Sequence, residues 1–261
     1  LVNTLNKVLS SLEDLDGIVI LIDEADRPDL SANLGQFCKT FSELLSKKGC
    51  LKVLLGLAGQ SNLIRKIRDS HESAPRVFSI LSLSTLKEEE SIKVVDAGVK
   101  LATDLNATPI SIDDDARKML VTLAEGYPHF IQQFSYSAFE EDDDNVINKD
   151  DVIVGAFSKN GAIPQLGHIY FKEQYYDSIK SDDYRAVLDI MAEHSDGWVS
   201  RKEIMEASSL EAHTVDNALK ALKSRGIIFS NDSVRGQYRL PTKSFATWIK
   251  ALTYMPKDAR V

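Results

Sequence analysis

Cysteine is almost absent, with Cys38 and Cys50 the only two in 261 residues. They share no C-x-x-C spacing and have no histidine group nearby, so neither a disulfide framework nor a zinc site is expected, and both read as small residues of a core or helix face. The five histidines are scattered and suggest no metal ligand set. No apolar run approaches the roughly 18 residues of a membrane-spanning helix. Leu1-Val2-Asn3 lacks the basic-then-apolar order of a secretory signal. A cytoplasmic protein without membrane contact is the expectation. The first residue is not methionine, so the chain is expected to be processed or part of a longer one.

Basic residues are also in deficit. The formal charge is −8, unevenly distributed: 28 acids stand against 19 lysines and arginines before Ser181, and 11 against 12 from Ser181 onward. Only the last stretch is electrostatically suited to a polyanion. With 43% apolar and 27% charged residues the composition is that of an ordinary globular protein, and the length admits two domains.

Gly17–Asp26 dominates what is present. Ile18-Val19-Ile20-Leu21-Ile22 is a continuous apolar run ending in Asp23 and Glu24, with Asp26 two residues on. Such a run without alternation predicts a strand covered on both faces, as in a parallel α/β sheet. Ligands in such sheets bind beyond the carboxyl ends of the strands, where Asp23 and Glu24 emerge. The competing reading has Asp23 and Asp26 capping the next helix and Glu24 solvated; a third has Asp23 and Asp26 holding a metal in an unrelated hydrolytic domain.

Leu5, Val8, Leu9, Leu12 and Leu15 predict a helix ahead of that strand, and Leu34, Phe37, Cys38, Phe41, Leu44 and Leu45 a second one after it. Leu51–Gly59 predicts another buried strand, and Ala74–Leu83 a place for a third. From Lys87 the pattern turns helical without strand signals. Thr85 and Glu88 form the pattern of a capping box, and helices are expected over Asp113–Ala124 and Pro128–Phe139. The acidic block Glu140–Asp144 reads as a solvated loop or helix end, and a helical connector runs on to about Tyr176. The last segment predicts helices at Asp182–His194, Ser200–Ala207 and Glu211–Arg225, then strands at Ile227–Ser230 and Gln237–Leu240, closed by a helix around Phe245–Leu252. Three helices followed by a hairpin make a winged helix-turn-helix.

In order and content these elements resemble AAA+ ATPases of the Orc/Cdc6-like or STAND-related kind. The resemblance implies an α/β fold: a partial parallel P-loop-NTPase-type sheet (1–85), a helical lid (86–150), a connector (151–180) and an α+β winged helix domain (181–261). It also implies an ATP- and Mg2+-dependent switch. Ile18–Glu24 looks like a Walker B segment, in which Asp23 would hold the magnesium ion through water and Glu24 would polarise the attacking water. Gln60, or Asn62, would stand at sensor 1. Arg76 resembles an arginine finger acting on a neighbour's nucleotide, which implies a homo-oligomer. Gly126 and Pro128 match the Gly-x-Pro turn that opens the lid helix, although His129, Gln132 and Gln133 stand where the family's basic residue is usual.

One family motif is missing: no G-x-x-x-x-G-K-[ST] occurs anywhere in the sequence. The chain is therefore expected to be the C-terminal part of a longer ATPase and to bind no cofactor by itself. The winged helix would meet DNA, or a protein partner, through His213, Thr214, Asn217 and Lys220 on its third helix and Arg235 and Arg239 on the wing. The alternative to a switch is a non-catalytic regulator in which the α/β half is a scaffold for a DNA-binding or protein-binding winged helix.

Overall fold

A computed structural model describes residues 1–11, 16–60, 62–106, 108–194, 197–231 and 233–254. The chain forms two compact units, Leu1–Leu83 and Ser84–Val261.

The first unit is built on two parallel strands, β1 (Ile18–Ile22) and β2 (Val53–Leu57), in the register Ile18 to Val53 through Ile22 to Leu57. Helix α1 (Val2–Ser11) precedes β1; Leu12 and Leu15 of the expected helix lie outside the described residues. Helix α2 (Leu34–Lys47) is the crossover between the strands. Val2, Leu5, Leu9, Phe41, Leu45 and Cys50 pack on Ile20, Val53 and Leu55 to form one small core. Helix α3 (Leu63–Ser70) and a 3-10 turn at Ala74–Val77 form a second, in which Ala25, Leu34 and Leu57 meet Leu63, Ile67 and Ala74. Both cysteines are buried and free.

Two expectations fail here. The strands are not covered on both faces: Val19, Leu21 and Leu54 are 60%, 77% and 61% exposed. Side chains alternate along a strand, and among the described residues the helices cover only the Ile20 side. Nor is there a third strand at Ala74–Leu83. Past the 3-10 turn the backbone pairs with no ladder, and Ile80, Leu81 and Leu83 are exposed.

The second unit begins with α4 (Glu88–Asn106), α5 (Asp114–Ala124), α6 (Pro128–Glu141) and α7 (Lys149–Phe157). The capping box expected at Thr85 and Glu88 falls two residues late. Leu86 N–H donates to Gly126 O at 2.8 Å, holding the chain out of the helix, and Glu90 caps by accepting from Lys87 N–H at 2.8 Å. A short parallel pair, β3 (Ser111–Ile112) with β4 (Val146–Ile147), appears where no strand was expected. Helix α8 (Ala162–Leu166) runs into two π-helical turns, Gly167–Phe171 and Glu173–Asp177.

Helices α9 (Asp182–Glu193), α10 (Arg201–Ala207) and α11 (Ala212–Ser224) follow. The returning hairpin is shorter than its sequence pattern, β6 (Phe229–Ser230) and β7 (Gln237–Arg239), and gains β5 (Val199–Ser200) in the antiparallel order β5-β7-β6. Ser200 starts α10 with a capping box to Glu203. Helix α12 (Lys243–Tyr254) closes the chain against α9 and α8. One continuous apolar core runs from Val95 on α4 to Leu252 on α12. Its aromatic centre joins Phe171, Tyr175, Phe245 and Trp248, with Phe171 and Phe245 ring centres 5.0 Å apart.

Candidate functional site

Parallel pairing sends the carboxyl ends of β1 and β2 to one edge, and the candidate acids emerge there. Asp23 and Glu24 directly follow β1 and are exposed. Asp23 turns back to accept from Glu24 N–H at 2.8 Å. Glu24 takes a left-handed backbone, φ 51°, uncommon for a residue with a side chain, and its carboxylate pairs with Arg27 at 2.9 Å. Both partners of that pair are more than half exposed, so the pair is weak and opens readily.

Asp26 behaves differently from its neighbours. It is 8% exposed, and its Oδ1 accepts from Gln60 N–H at 3.0 Å. Its carbonyl takes Lys66 Nζ, which also reaches Pro28 O at 3.3 Å. Gly59 makes this possible, since a Cβ there would stand 2.6 Å from Asp26 Oδ1. Asp26 is a clasp between the ends of β1 and β2, and it caps no helix. Together with Ala25 N–H to Ala58 O at 2.9 Å and Ala58 N–H to Ile22 O at 2.8 Å, it fixes the edge from which Asp23 and Glu24 project. Among the described residues no group of three or more His, Cys, Asp or Glu is placed to hold a metal ion.

Gln60 lies at the same edge, held through its backbone by Asp26. Asn62 is the more exacting neighbour: its Oδ1 is buried and accepts no hydrogen bond among the described residues, a costly state that a ligand or water relieves. Arg76 lies in the 3-10 turn packed on α2 and α3, exposed, with no ion-pair partner among the described residues. No bond joins it to the acids.

In the second unit Gly126 is buried at φ +75°, and a Cβ would collide with Leu86 O. Pro128 is the first residue of α6, where its missing N–H costs nothing. Both therefore shape the α5–α6 turn. Beyond them His129 meets Tyr170 edge-on at 5.1 Å, and Gln133 donates to Gln165 at 2.9 Å. Glu125, in the same turn, accepts from Ser244 N–H at 3.1 Å; burial raises its carboxyl above the ordinary carboxylate range, against hydrogen bonds from Ser244 and Lys243 that pull it down.

On α11, His213, Asn217 and Lys220 share one exposed face, and Thr214 beside it is half-buried, with its hydroxyl 3.4 Å from His213 Nε2. His213 also stands 3.1 Å from Glu211. Asp216 is engaged twice by Arg201, at 2.5 and 2.9 Å, which holds its carboxyl below the usual range. That acid on the helix is thus already neutralised from α10. On the hairpin, Arg235 is exposed and Arg239 lies over Trp198 at 5.1 Å and Phe229 at 5.7 Å.

No family model and no curated protein matches the sequence. Solved structures do. The Walker-type ATPase PABY2304 of Pyrococcus abyssi is similar over 95% of this chain at TM-score 0.59 and 14% identity; the chain spans 66% of that structure's length. The RuvB Holliday junction branch migration motor of Thermotoga maritima aligns over 98% of this chain and 75% of its own at TM-score 0.44 and 18% identity. The ORC2 protein of Aeropyrum pernix aligns over 92% and 66% at 0.48 and 13%. The match to PABY2304 is one of fold alone: this chain has a fold of the kind found in Walker-type ATPases.

Proposed function

We propose that this chain supplies the acidic, magnesium-binding side of an AAA+ nucleotide site and couples it to a winged helix. The observation that supports the reading is the sheet edge, where the parallel strands end in exposed Asp23 and Glu24 on one side and run on to Gln60, tied to Asp26, on the other. These groups fit the metal half of such a site: Asp23 suits water-mediated magnesium, and Glu24, once released from Arg27, suits a water molecule. The phosphate half does not fit. Without a glycine-rich loop and its lysine, nothing in the sequence cradles β- and γ-phosphate. The ATPase reading therefore applies to a protein that carries that loop as well.

In this reading α9, α10 and α11 with the three-stranded sheet are the winged helix, and Lys220, Asn217, Arg235 and Arg239 face the partner. A DNA partner is favoured by the acid–base balance after Ser181 and by the Arg201–Asp216 pair, which removes one repulsive charge from the contacting helix. Arg76 on a neighbouring copy remains the candidate finger.

The test compares the 261-residue chain with the chain carrying whatever is encoded immediately upstream of Leu1, using a fluorescent ATP analogue with magnesium. The short chain should show no binding. An upstream G-x-x-x-x-G-K-[ST] should restore it, and Glu24→Gln in that longer protein should retain nucleotide while abolishing turnover. Unchanged turnover in Glu24→Gln removes Glu24 from its role, and a clear ATPase rate from the short chain overturns the division of the site.

A further inference from the structure

The second unit contains an apolar groove that plays no part in the nucleotide reading. It lies between α4 and α6, with β3 and β4 at one side, and encloses about 350 Å³. No Lys, Arg, Asp or Glu lines it. Leu101, Leu105 and Tyr136 stand along it at 58%, 76% and 57% exposure. A monomer seldom leaves such side chains together in water without a use for them.

Two details of its wall stand out. Ser135 Oγ on its wall is buried and has no hydrogen-bond partner among the described residues. Gly98 forms part of the lining in the middle of the 19-residue helix α4. A Cβ added there would meet nothing within 4 Å, and its φ is not in the left-handed region. Neither internal packing nor backbone conformation calls for glycine, which is a poorer helix former than alanine. A closely approaching outside chain does call for it.

The surrounding charge identifies that chain. Phe139 and Ile147 both line the groove, and the acidic block Glu140–Asp144 runs between them. Asp142 and Asp144 are used in holding Val146 N–H. Glu140, Glu141 and Asp143 are exposed and have no ion-pair partner among the described residues. On α4, Lys100 and Asp104 stand four positions apart with opposite formal charges. We propose that the groove docks an amphipathic helix of a protein partner, its apolar face over Gly98 and a lysine- or arginine-rich flank toward Glu140, Glu141 and Asp143.

The experiment uses the 261-residue protein and two fluorescein-labelled 18-residue helical peptides that share a leucine face, one with lysine and one with glutamate at the polar positions, read by fluorescence anisotropy. The Leu/Lys peptide should bind at least tenfold more tightly than the Leu/Glu peptide. Gly98→Leu fills the groove without altering charge and should weaken Leu/Lys binding at least tenfold, while Glu140→Lys/Glu141→Lys/Asp143→Lys should reverse the preference between the peptides. Gly98→Leu points into open space, and a thermal melt no lower than that of the parent protein confirms that it folds; Gly98→Ala should weaken binding less. Leu/Lys binding that survives Gly98→Leu unchanged is attraction to an acidic surface and overturns the proposal. So does a concentration-dependent dimer that Gly98→Leu abolishes, because the occupant is then a second copy.

Discussion

Asp23 and Asp26 are separated by three positions and have the same side chain, yet their replacement by alanine should have very different effects. Asp26 is 8% exposed and its Oδ1 is the acceptor for Gln60 N–H at 3.0 Å. Asp26→Ala removes the carboxylate from that part-buried hydrogen bond, a loss of about 1–3 kcal/mol. Asp23 is exposed and its bond to Glu24 N–H is replaced by water, so Asp23→Ala should change stability by no more than about 0.5 kcal/mol. Asp26→Asn keeps an acceptor oxygen and should recover much of the loss. Tryptophan fluorescence is the wrong assay, since Trp198 and Trp248 both lie in the second unit. Amide hydrogen exchange at Gln60 reports on the clasp itself, and a loss of about 1–3 kcal/mol there speeds exchange roughly 5- to 150-fold. Equal effects of Asp23→Ala and Asp26→Ala, or a Gln60 amide indifferent to Asp26→Ala, would refute the assignment of Asp26 as the fixed clasp and Asp23 as an exposed acid outside it.

Gly126→Ala should destabilise the second unit by more than about 1–2 kcal/mol, the ordinary cost of left-handed backbone, because the added carbon also meets Leu86 O; chemical denaturation followed by tryptophan fluorescence measures it. Glu125 has a pH signature of its own. Its folded pKa is raised, so the folded state holds the proton more tightly, and the stability this confers is full below the ordinary value near 4.5 and is lost as pH rises through the folded value. Glu125→Gln should remove that slope while keeping an acceptor for Ser244 N–H, and a melting series from pH 4 to about pH 8 checks it against wild type, an unchanged slope in the variant being the contrary result.

The long apolar periods were legible: α5, α6 and α9 to α12 lie close to their sequence patterns, because a stripe of Val187, Leu188 and Met191 on α9 or Val215, Leu219 and Leu222 on α11 is buried on one side of its helix. The β1–acid junction was legible for the same reason, as an apolar run stopping at carboxylates. What the pattern misrepresented was coverage. Val19 and Leu21 look like core residues in sequence and are exposed in the fold, since apolarity reports a side chain's preference and not the presence of a neighbour. Asp26 was legible only as one more acid; its burial depends on Gly59, 33 positions away in the chain. The shift of the α4 start likewise comes from Gly126 holding Leu86, a contact that no window along the sequence contains.

Helix α12 carries a consequence for how the molecule is made. Phe245, Ala246 and Ile249 are at most 1% exposed, and Gly167 is glycine because a Cβ there would run into the Trp248 indole. Until α12 is synthesised that seat stays vacant, and Phe171 and Tyr175 lack their Phe245 and Trp248 neighbours. The core of the second unit is therefore completed only after the chain through Leu252 has been made.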